Sequence, residues 1–584
     1  MTRTPWIVAA LVAATLIAYL PALSSGFVWD DNDWVTEHPV VTGEQGWSEI
    51  WTGQTRFQFY PVLFSAWRIQ HALWGLNPVG YHAVNILLHA ATAVLLGLFF
   101  TRLDLRGAWW IAAAFALHPV HVESVAWVTE LKNVLSGALV VGSALLFLTA
   151  TQGKTVARGR YALALVLFVA AMLAKTAVAA AAVLLPIVLY LKRDRFETRD
   201  LTLAAPFVAV GVVLGWIAVR LEQGMAAAMG ADFAFSWLDR VLIGTHALFF
   251  YPMKLLVPAP LIFNYPRWDL AVWQAWVWPV ASLAAFAIAV LFWRRGYRGP
   301  VLAVAGYALL IAPALGVFDV YAFRYSFVAD HFVYLASIPL IALVVEKLVR
   351  LIPGSRGQRL TIGIGLLLVL GVLTWNQTYA YKDRTALWTH TLARNPDSWL
   401  AHHSMALEAM HEGKQETAAV HFEEAIRCKP AAAESWTGRA QLHVRQGNAG
   451  DAMADLNRAL ELAPAYPQAR LERGRLRVEL GRHEKAIEDL DMFLNANPGV
   501  VDALVARAEA YARLDRLEEA LADLDAAVRA GGSSDLVAIG HELKGAALVT
   551  RGQREQGCAE LRRACDLGRC AAWQAACPED TNTP

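Results

Sequence analysis

Apolar residues fall into long, closely spaced runs over the first 380 positions and into short amphipathic segments after them. A helix needs roughly 20 apolar residues to cross the hydrocarbon of a bilayer. Eleven runs reach or approach that length, near residues 6–23, 80–101, 107–121, 133–150, 161–174, 176–191, 201–221, 272–293, 299–317, 331–348 and 359–375. The pattern predicts an all-α protein with a polytopic transmembrane helical bundle of about 11 spans over residues 1–380. A soluble helical domain over residues 381–584 follows it.

The connections between these runs alternate in charge, and every second one is basic. The basic set holds Arg3; Arg102 and Arg106; Lys154, Arg158 and Arg160; Lys192, Arg193, Arg195 and Arg199; Arg294, Arg295 and Arg298; Lys347, Arg350, Arg356 and Arg359. Basic connections face the cytoplasm. We therefore expect a multi-pass protein of the cell (inner) membrane with a cytoplasmic amino terminus. With eleven spans, residues 381–584 lie in the periplasm. The first run is longer than a signal-peptide core and is expected to remain as a span.

The soluble half repeats itself every 34 residues. Proline, glycine and small residues keep this period at Pro396, Pro430, Pro464 and Pro498; Gly413, Gly447 and Gly481; Ala406, Ala440, Gly474 and Ala508; Ala418, Ala452, Ala486 and Ala520; Ala425, Ala459 and Ala527. This is the tetratricopeptide repeat (TPR) signature. It predicts a partial repeat over 383–396, four full repeats, and a fifth shifted by three residues before Gly545. Phe493 departs from the pattern where alanine is expected. Such solenoids bind proteins or peptides.

Charge and cysteine content narrow the functional classes. The formal net charge of +1 gives no basic field for nucleic acid. Four of the five cysteines crowd into the tail, at Cys558, Cys565, Cys570 and Cys577. Outside the cytoplasm they would form one or two disulfides. Inside it they would stay free or bind metal, although the spacing lacks the paired cysteines of a zinc site.

The stretch that follows the first run carries the strongest chemical signal. It contains Asp30, Asp31 and Asp33 between Trp29 and Trp34. Ionisable groups at a membrane boundary are usually functional, and tryptophan favours the headgroup level. A carboxylate in such a water-poor place can act as a general base. The alternative is a solvated acidic loop.

Other titratable residues fall in connections on the same outer side. They are His118, His121, Glu123 and Lys132 after the third run, Lys175 between two short runs, and Arg324, Asp330 and His331 before the tenth run. The histidines and Glu123 fit a hydrogen-bonded substrate pocket better than a metal site, because their spacing matches no strong ligand signature. Lys175 would contact an anionic lipid headgroup or extend to the interface. Arg324 would pair with a phosphate, or neutralise Asp319 or Asp330.

Three features together resemble a known family. An aspartate pair after the first span (Phe27 to Asp31), a His-Pro-Val-His-x-Glu segment (His118 to Glu123) and carboxy-terminal TPRs are similar to the transmembrane and TPR-containing (TMTC) O-mannosyltransferases. These belong to the polytopic, lipid-donor (GT-C) glycosyltransferases. Lys175 matches the lysine between two short spans. Asp330 and His331 stand where the family usually has Glu-Arg, a departure at its later motif.

The resemblance implies an enzyme that takes a sugar from a polyprenyl-phosphate donor to a Ser/Thr hydroxyl of an exported protein, which the TPRs would dock. Asp30 matches the position that serves as base, and Asp31 would orient it or the acceptor. Lys132, Lys175 and Arg324 would hold the departing phosphate. No metal or other cofactor is expected with certainty.

Two other functions compete with this interpretation. A non-enzymatic TPR scaffold for envelope assembly needs no reason for Asp30 and Asp31. A transporter should place its polar residues near the midplane on broken helices, whereas here they gather at one surface.

Overall fold

A computed structural model describes residues 4–43, 46–53, 58–153, 155–222, 234–316, 321–531 and 534–577. Lys154 and Asp319, which the sequence analysis uses, lie outside these residues. Every regular element in the described ranges is helical, as the sequence predicts. The chain divides into two compact units, Met1–Pro396 and Asp397–Pro584.

The first unit contains seventeen described α-helices, joined by turns, 3-10 segments and longer connections. They are α1 (Thr4–Ala18), α2 (Pro39–Thr42), α3 (Trp47–Thr52), α4 (Pro61–Trp74), α5 (Pro78–Arg102), α6 (Ala108–Leu117), α7 (Val122–Ala126), α8 (Leu131–Thr151), α9 (Arg158–Met172), α10 (Ala181–Arg193), α11 (Thr198–Glu222), α12 (Trp237–Leu256), α13 (Val277–Arg294), α14 (Arg298–Ile311), α15 (Ser337–Leu351), α16 (Arg356–Thr378) and α17 (Arg384–Leu392).

Each of the eleven predicted runs coincides with one of these helices. Six helical stretches are long and apolar enough to cross a membrane on their own, at Pro78–Arg102, Val128–Thr151, Thr176–Arg193, Thr198–Ala218, Trp273–Arg294 and Arg356–Tyr381. Thr4–Ala18, Ala108–Leu117 and Arg298–Ala314 are apolar but shorter. The count of about eleven crossings therefore stays a prediction, while the helical membrane bundle is confirmed.

Connections that are expected to share a side contact one another. Polar contacts join the basic set through Lys192–Asp104, Arg193 to the carbonyl of Thr151, and Arg298–Asp194. Hydrogen bonds also join the other set through Asp31–Thr129, Lys175–Asn133 and His331–Glu123. Contacts within each set are what alternating crossings of a bilayer would produce, and the side of the membrane that each set faces stays a prediction.

The first unit extends further than the boundary predicted at residue 380. Helix α17, expected to be half of a partial repeat, belongs to this unit. Its Trp388 is buried and packs edge-on against Trp29 and Phe263, with ring centroids 5.2 and 5.5 Å apart. The side chain of Asn395 also donates to the carbonyl of Asn264, at 3.0 Å. These contacts explain why the division falls after Pro396.

The second unit consists of five helical hairpins and a short final helix. The helices are α18 (Trp399–His411), α19 (Gln415–Cys428), α20 (Ala433–Arg445), α21 (Ala449–Leu462), α22 (Pro467–Glu479), α23 (His483–Ala496), α24 (Val501–Arg513), α25 (Leu517–Ala530), α26 (Ser534–Thr550), α27 (Arg554–Asp566) and α28 (Ala571–Ala576). We number these hairpins as repeats 1 to 5. The predicted fifth repeat, with its three-residue shift, is α26 and α27.

Small residues sit at helix contacts in these repeats. A Cβ atom on Gly438 would lie 2.4 Å from the ring of Phe422, so only glycine fits there. Phe493, which departs from the alanine pattern, is buried in the core that joins α23 and α24.

Each repeat from the second onward carries an ion pair between its two helices. The pairs are Arg439–Asp455, Arg473–Asp489, Arg507–Asp523 and Lys544–Glu560. We call this series the charge ladder. It keeps the 34-residue period and then the three-residue shift, so it follows the same repeat as the small residues.

Candidate active site

Asp30 follows a strained turn. Trp29 has a positive φ of 49°, which costs a bulky residue roughly 1–3 kcal/mol. Its indole is held by the rings of Phe263, Tyr325 and Trp388, with centroids 6.1, 5.9 and 5.2 Å away. Because these rings come from three distant segments, tertiary packing fixes the turn that aims Asp30.

Asp31 is fully buried, and both its carboxylate oxygens accept hydrogen bonds. The backbone N–H and the hydroxyl of Thr129 donate to Oδ1, at 2.8 and 2.6 Å. The backbone N–H of Val28 donates to Oδ2, at 2.7 Å. Asp31 therefore fastens the turn to the segment that begins α8, and it has little capacity left to bind a substrate.

Asp30 has the opposite surroundings. Its Oδ1 is buried and has no hydrogen-bond partner among the described residues. Burial raises the pKa of Asp30, the ammonium of Lys132 lowers it, and the charges of Asp31 and Glu130 raise it again, so that the resulting pKa is about 8. A carboxylate that titrates near the working pH is well suited to take a proton.

Lys132 lies beside this carboxylate. Its Nζ is 2.9 Å from Oε1 of Glu130 and 5.6 Å from the ring centroids of both Trp34 and Trp127. The two indoles and the carboxylate hold the ammonium at the Asp30 turn. An ammonium carries three protons, so it can still donate to a bound anion.

A second group of polar side chains adjoins Glu130. Nδ1 of His331 lies 2.5 Å from Oε1 of Glu123, and its Nε2 lies 3.9 Å from Oε1 of Glu130. The amide of Asn133 donates to Glu130 and to the carbonyl of His331, the latter at 2.9 Å. Lys175 in turn donates to Oδ1 of Asn133, at 2.5 Å. Predicted site residues from three connections thus meet.

The two histidines of the second motif connect their own turn to distant parts of the fold. His118 accepts the backbone N–H of the residue two positions later, at 3.2 Å, so its Nε2–H donates to the carbonyl of Leu255, at 3.0 Å. His121 is fully buried between the carbonyl of Phe115 and the hydroxyl of Ser337, at 2.8 and 2.9 Å. The structure therefore gives both rings protein partners on both nitrogens.

Asp330 and Arg324 lie at the edge of the group. Asp330 is buried and accepts the hydroxyl of Tyr265, at 2.9 Å. Burial raises its pKa. The guanidinium of Arg324 lies 5.9 Å from the ring centroid of Tyr325, which packs on Trp29. Arg324 thus directly precedes Tyr325, one of the rings that hold Trp29 in the turn before Asp30.

One group in the described chain has the geometry for a metal ion, and it lies in repeat 1. Ligand atoms of His402, Glu424 and Cys428 all lie within 4.8 Å of one another. However, the guanidinium of Arg427 donates to Glu424 at 2.7 Å and to the Cys428 sulfur at 3.4 Å. A cation that already contacts two of the three ligands opposes the binding of a second one.

Sequence reasoning missed Thr129 and Tyr265, the partners of two predicted aspartates. The signal for Thr129 was its place directly before Glu130, inside the titratable segment. Tyr265 offered none, because it lies in a long connection without a motif.

A family model described as "Tetratricopeptide repeat" matches residues 403–469 and 471–535. The human protein O-mannosyl-transferase TMTC2 is 33% identical over 151 residues, which is 23% of this chain and 17% of that protein. Human TMTC4 is 29% identical over 156 residues, 22% of this chain and 21% of that protein. The Drosophila melanogaster protein O-mannosyl-transferase Tmtc1 is 29% identical over 126 residues, which is 20% of this chain and 15% of that protein. The matched stretch is thus less than a quarter of each of these relatives.

Solved structures match the repeat region. The TPR protein YrrB, described as having an unusual peptide-binding site, is 18% identical, with a TM-score of 0.28, and covers 32% of this chain and 96% of its own. MamA from Desulfovibrio magneticus RS-1 is 17% identical, with a TM-score of 0.27, and the match covers 30% of this chain and 96% of MamA. The relatives confirm the resemblance expected from the motifs: this all-helical chain is similar to the TMTC protein O-mannosyl-transferases and carries tetratricopeptide repeats in its C-terminal part.

Proposed function

We propose that this chain is an integral-membrane glycosyltransferase of the GT-C type. It moves a sugar from a polyprenyl-phosphate donor to a Ser/Thr hydroxyl of an exported protein, and its TPR unit docks that protein. Mannose is the first sugar to test, because the similar proteins are named O-mannosyl-transferases. The TPR unit then lies in the periplasm.

The observation that carries the proposal is the buried, unpartnered Oδ1 of Asp30 beside the ammonium of Lys132. In sugar transfer from a lipid phosphate, the leaving group needs no protonation, whereas the attacking hydroxyl must lose its proton. One positioned carboxylate supplies that step. Asp30 takes the proton, while Asp31, held by Thr129 and Val28, keeps the turn in place.

The cations of the site suit the departing phosphate. Lys132 and Lys175 are each held by one protein acceptor, Glu130 and Asn133 respectively. Each keeps protons that can point to an anion, and charge that develops on the phosphate oxygens during transfer is stabilised by such fixed donors. Glu123 and His331 hold the Asn133 corner in place.

The test is the substitution Asp30→Asn, which keeps the shape of the side chain but cannot accept a proton. With polyprenyl-phosphate mannose and a Ser/Thr acceptor, we expect the transfer rate at equal folded protein to fall roughly 10²-fold or more. Asp33→Asn is the matched control, because Asp33 is exposed on the same loop, and it should leave the rate nearly unchanged. Unchanged turnover in Asp30→Asn would contradict the assignment. If Asp31→Asn also left turnover unchanged, a non-enzymatic scaffold would explain the protein better than a glycosyltransferase.

A further inference from the structure

A pocket of about 230 Å³ lies between the second helix of repeat 1 and the two helices of repeat 2. It is formed by α19, α20 and α21, and its walls include Glu423, Arg439, Leu442, His443, Asp451 and Asp455. It belongs to the TPR unit and is independent of the sugar-transfer proposal.

The pocket has surplus negative charge. Asp455 binds Arg439 through two hydrogen bonds, both 2.8 Å long, so these two groups neutralise each other. Glu423 and Asp451 are exposed at the rim, and neither forms an ion pair in direct contact with a described side chain. Arg439 attracts both from a distance, but its hydrogen bonds go to Asp455. The pocket wall therefore holds three carboxylates and one guanidinium, a surplus of negative charge.

In repeat 3, the position that corresponds to this pocket is occupied by an arginine side chain of the protein itself. Arg477 stands 34 residues after His443. Its guanidinium donates to Oδ2 of Asp489, at 2.7 Å, and to the backbone carbonyl of Lys485, at 2.9 Å. Asp489 and Lys485 stand 34 residues after Asp455 and Asp451. In repeat 3, a guanidinium of the chain itself thus spans the acceptors that correspond to the pocket walls.

Repeat 4 occupies the corresponding place with different residues. Tyr511 is one period beyond Arg477, and the guanidinium of Arg516 lies 4.5 Å from the centroid of its ring. Repeat 2 has shorter side chains at both of these positions. His443 corresponds to Tyr511, and Asn448 corresponds to Arg516. Nδ1 of His443 is buried with no hydrogen-bond partner among the described residues. Repeat 2 is therefore open where repeats 3 and 4 are filled.

We propose that this pocket binds the guanidinium of an arginine side chain that a partner polypeptide presents. The guanidinium takes the place that Arg477 takes in repeat 3. Asp455 and the carbonyl of Asp451 accept its N–H groups, and the exposed carboxylates of Glu423 and Asp451 balance its charge. A planar fork of five donors matches several acceptors better than a lysine ammonium does. Repeat 2 is thereby a charge-selective docking point.

The probe is a fluorescently labelled pentapeptide with one central arginine between glycines, titrated by fluorescence polarisation against the full chain in detergent. A peptide with citrulline in place of arginine has nearly the same shape and no charge. We expect the arginine peptide to bind and the citrulline peptide to bind at least about tenfold more weakly. Equal affinities, or no binding of the arginine peptide up to about 1 mM, would overturn the proposal.

The variant that tests the location is His443→Arg, which supplies the internal guanidinium that repeat 3 already has. We expect it to fold normally and to weaken peptide binding about tenfold or more, because its own side chain fills the pocket. Glu423→Gln combined with Asp451→Asn removes only the exposed charges and should also weaken binding several-fold.

Arg477→His is the matched control. It opens the same place in repeat 3, but Asn457 and Lys485 stand there instead of Glu423 and Asp451. It should add no second site and leave peptide affinity unchanged. Full affinity in a folded His443→Arg protein, or in the double variant, would place the peptide elsewhere and refute the assignment. Free arginine amide should compete with the labelled peptide, because the guanidinium is the recognised group.

Discussion

Thr129 holds Asp31 through two hydrogen bonds, from its backbone N–H and from its hydroxyl, across a sequence separation of 98 residues. The same aspartate accepts the N–H of Val28 three residues before it. One buried carboxylate thus joins the Asp30 turn to the start of α8, so the proposed base is positioned by its neighbour in the chain.

This arrangement predicts different effects for the two aspartates. In Asp31→Asn, the amide N–H₂ must face either the Val28 N–H or the Thr129 donors. We expect a loss of about 1–3 kcal/mol of stability, and a smaller loss of transfer rate than in Asp30→Asn when equal amounts of folded protein are compared. Thermal unfolding in detergent and turnover measured together decide this. A destabilised Asp30→Asn beside an unaffected Asp31→Asn would reverse the roles.

The second prediction concerns pH. Asp30 must be deprotonated to act as a base, and burial raises its pKa from 3.8 to about 8. The kcat/KM value should therefore rise about tenfold per pH unit below about pH 8 and level off above it. Asp30→Asn should lose this ascending limb. A flat profile between pH 6 and 8 in the unsubstituted protein would contradict the role.

The same pKa predicts a pH effect on stability, with a definite sign. Because the folded protein holds the Asp30 proton more tightly than the unfolded chain does, its contribution to stability is complete below about pH 4. It is lost as the pH rises through about 8. The unsubstituted protein should therefore lose thermal stability relative to Asp30→Asn over this interval. Melting temperatures of the two proteins at pH 5 and pH 9 give the comparison, and a constant difference would contradict it.

The tail cysteines form two disulfides, Cys558–Cys577 and Cys565–Cys570. The first closes a longer loop, with a sequence separation of 19, and should stabilise the last repeat by about 2–4 kcal/mol. Replacing Cys558 and Cys577 by serine should lower the unfolding temperature, whereas Cys428→Ser should not, because Cys428 is a free thiol. Mass spectrometry without reductant should find both linked peptides. Four free thiols would refute the bonds and weaken the case for an oxidising compartment.

The last prediction is the orientation in the membrane. In a cysteine-free background, Glu416→Cys places an exposed thiol in repeat 1, and Arg195→Cys places one in a basic connection. An impermeant maleimide added to intact cells should label the first and not the second, and lysis should expose both. The reverse pattern would invert the topology and place the TPR unit in the cytoplasm.

The repeats could be predicted almost completely from the sequence, because packing between neighbouring hairpins repeats with the chain. Phe493 departed from the alanine pattern and proved to be core, and the three-residue shift of the fifth repeat also appears in the structure. The membrane half was predictable in its helices, since hydrocarbon selects apolar runs. The carboxy-terminal boundary of this half could not be predicted. Trp388 packs on Trp29 across hundreds of residues, and no local pattern in the sequence indicates such a contact.

The candidate site was predictable in residue type and only partly in role. Asp30, Lys132, Lys175 and His331 fall near one another, as their shared side suggested. His118 and His121 were expected in a substrate pocket, but the carbonyls of Leu255 and Phe115 occupy ring nitrogens of both. The spacing of a motif can identify which histidines matter. It does not tell whether their ring nitrogens bind the protein backbone or a ligand.

The long spans of the site's hydrogen bonds bear on how the protein is made. The amide of Asn133 meets the carbonyl of His331 across 198 residues, and Glu123 meets the ring of His331 across 208. At the usual pace of synthesis, about 5–20 residues per second, roughly 10–40 s separate their emergence from the ribosome. During that interval Glu123 has been made without the ring of His331, whereas Glu130 already has Lys132 and Asn133 close by in the chain. Biogenesis must therefore keep the Glu123 side chain hydrated until the tenth run arrives, and truncations before residue 331 should insert without an assembled site.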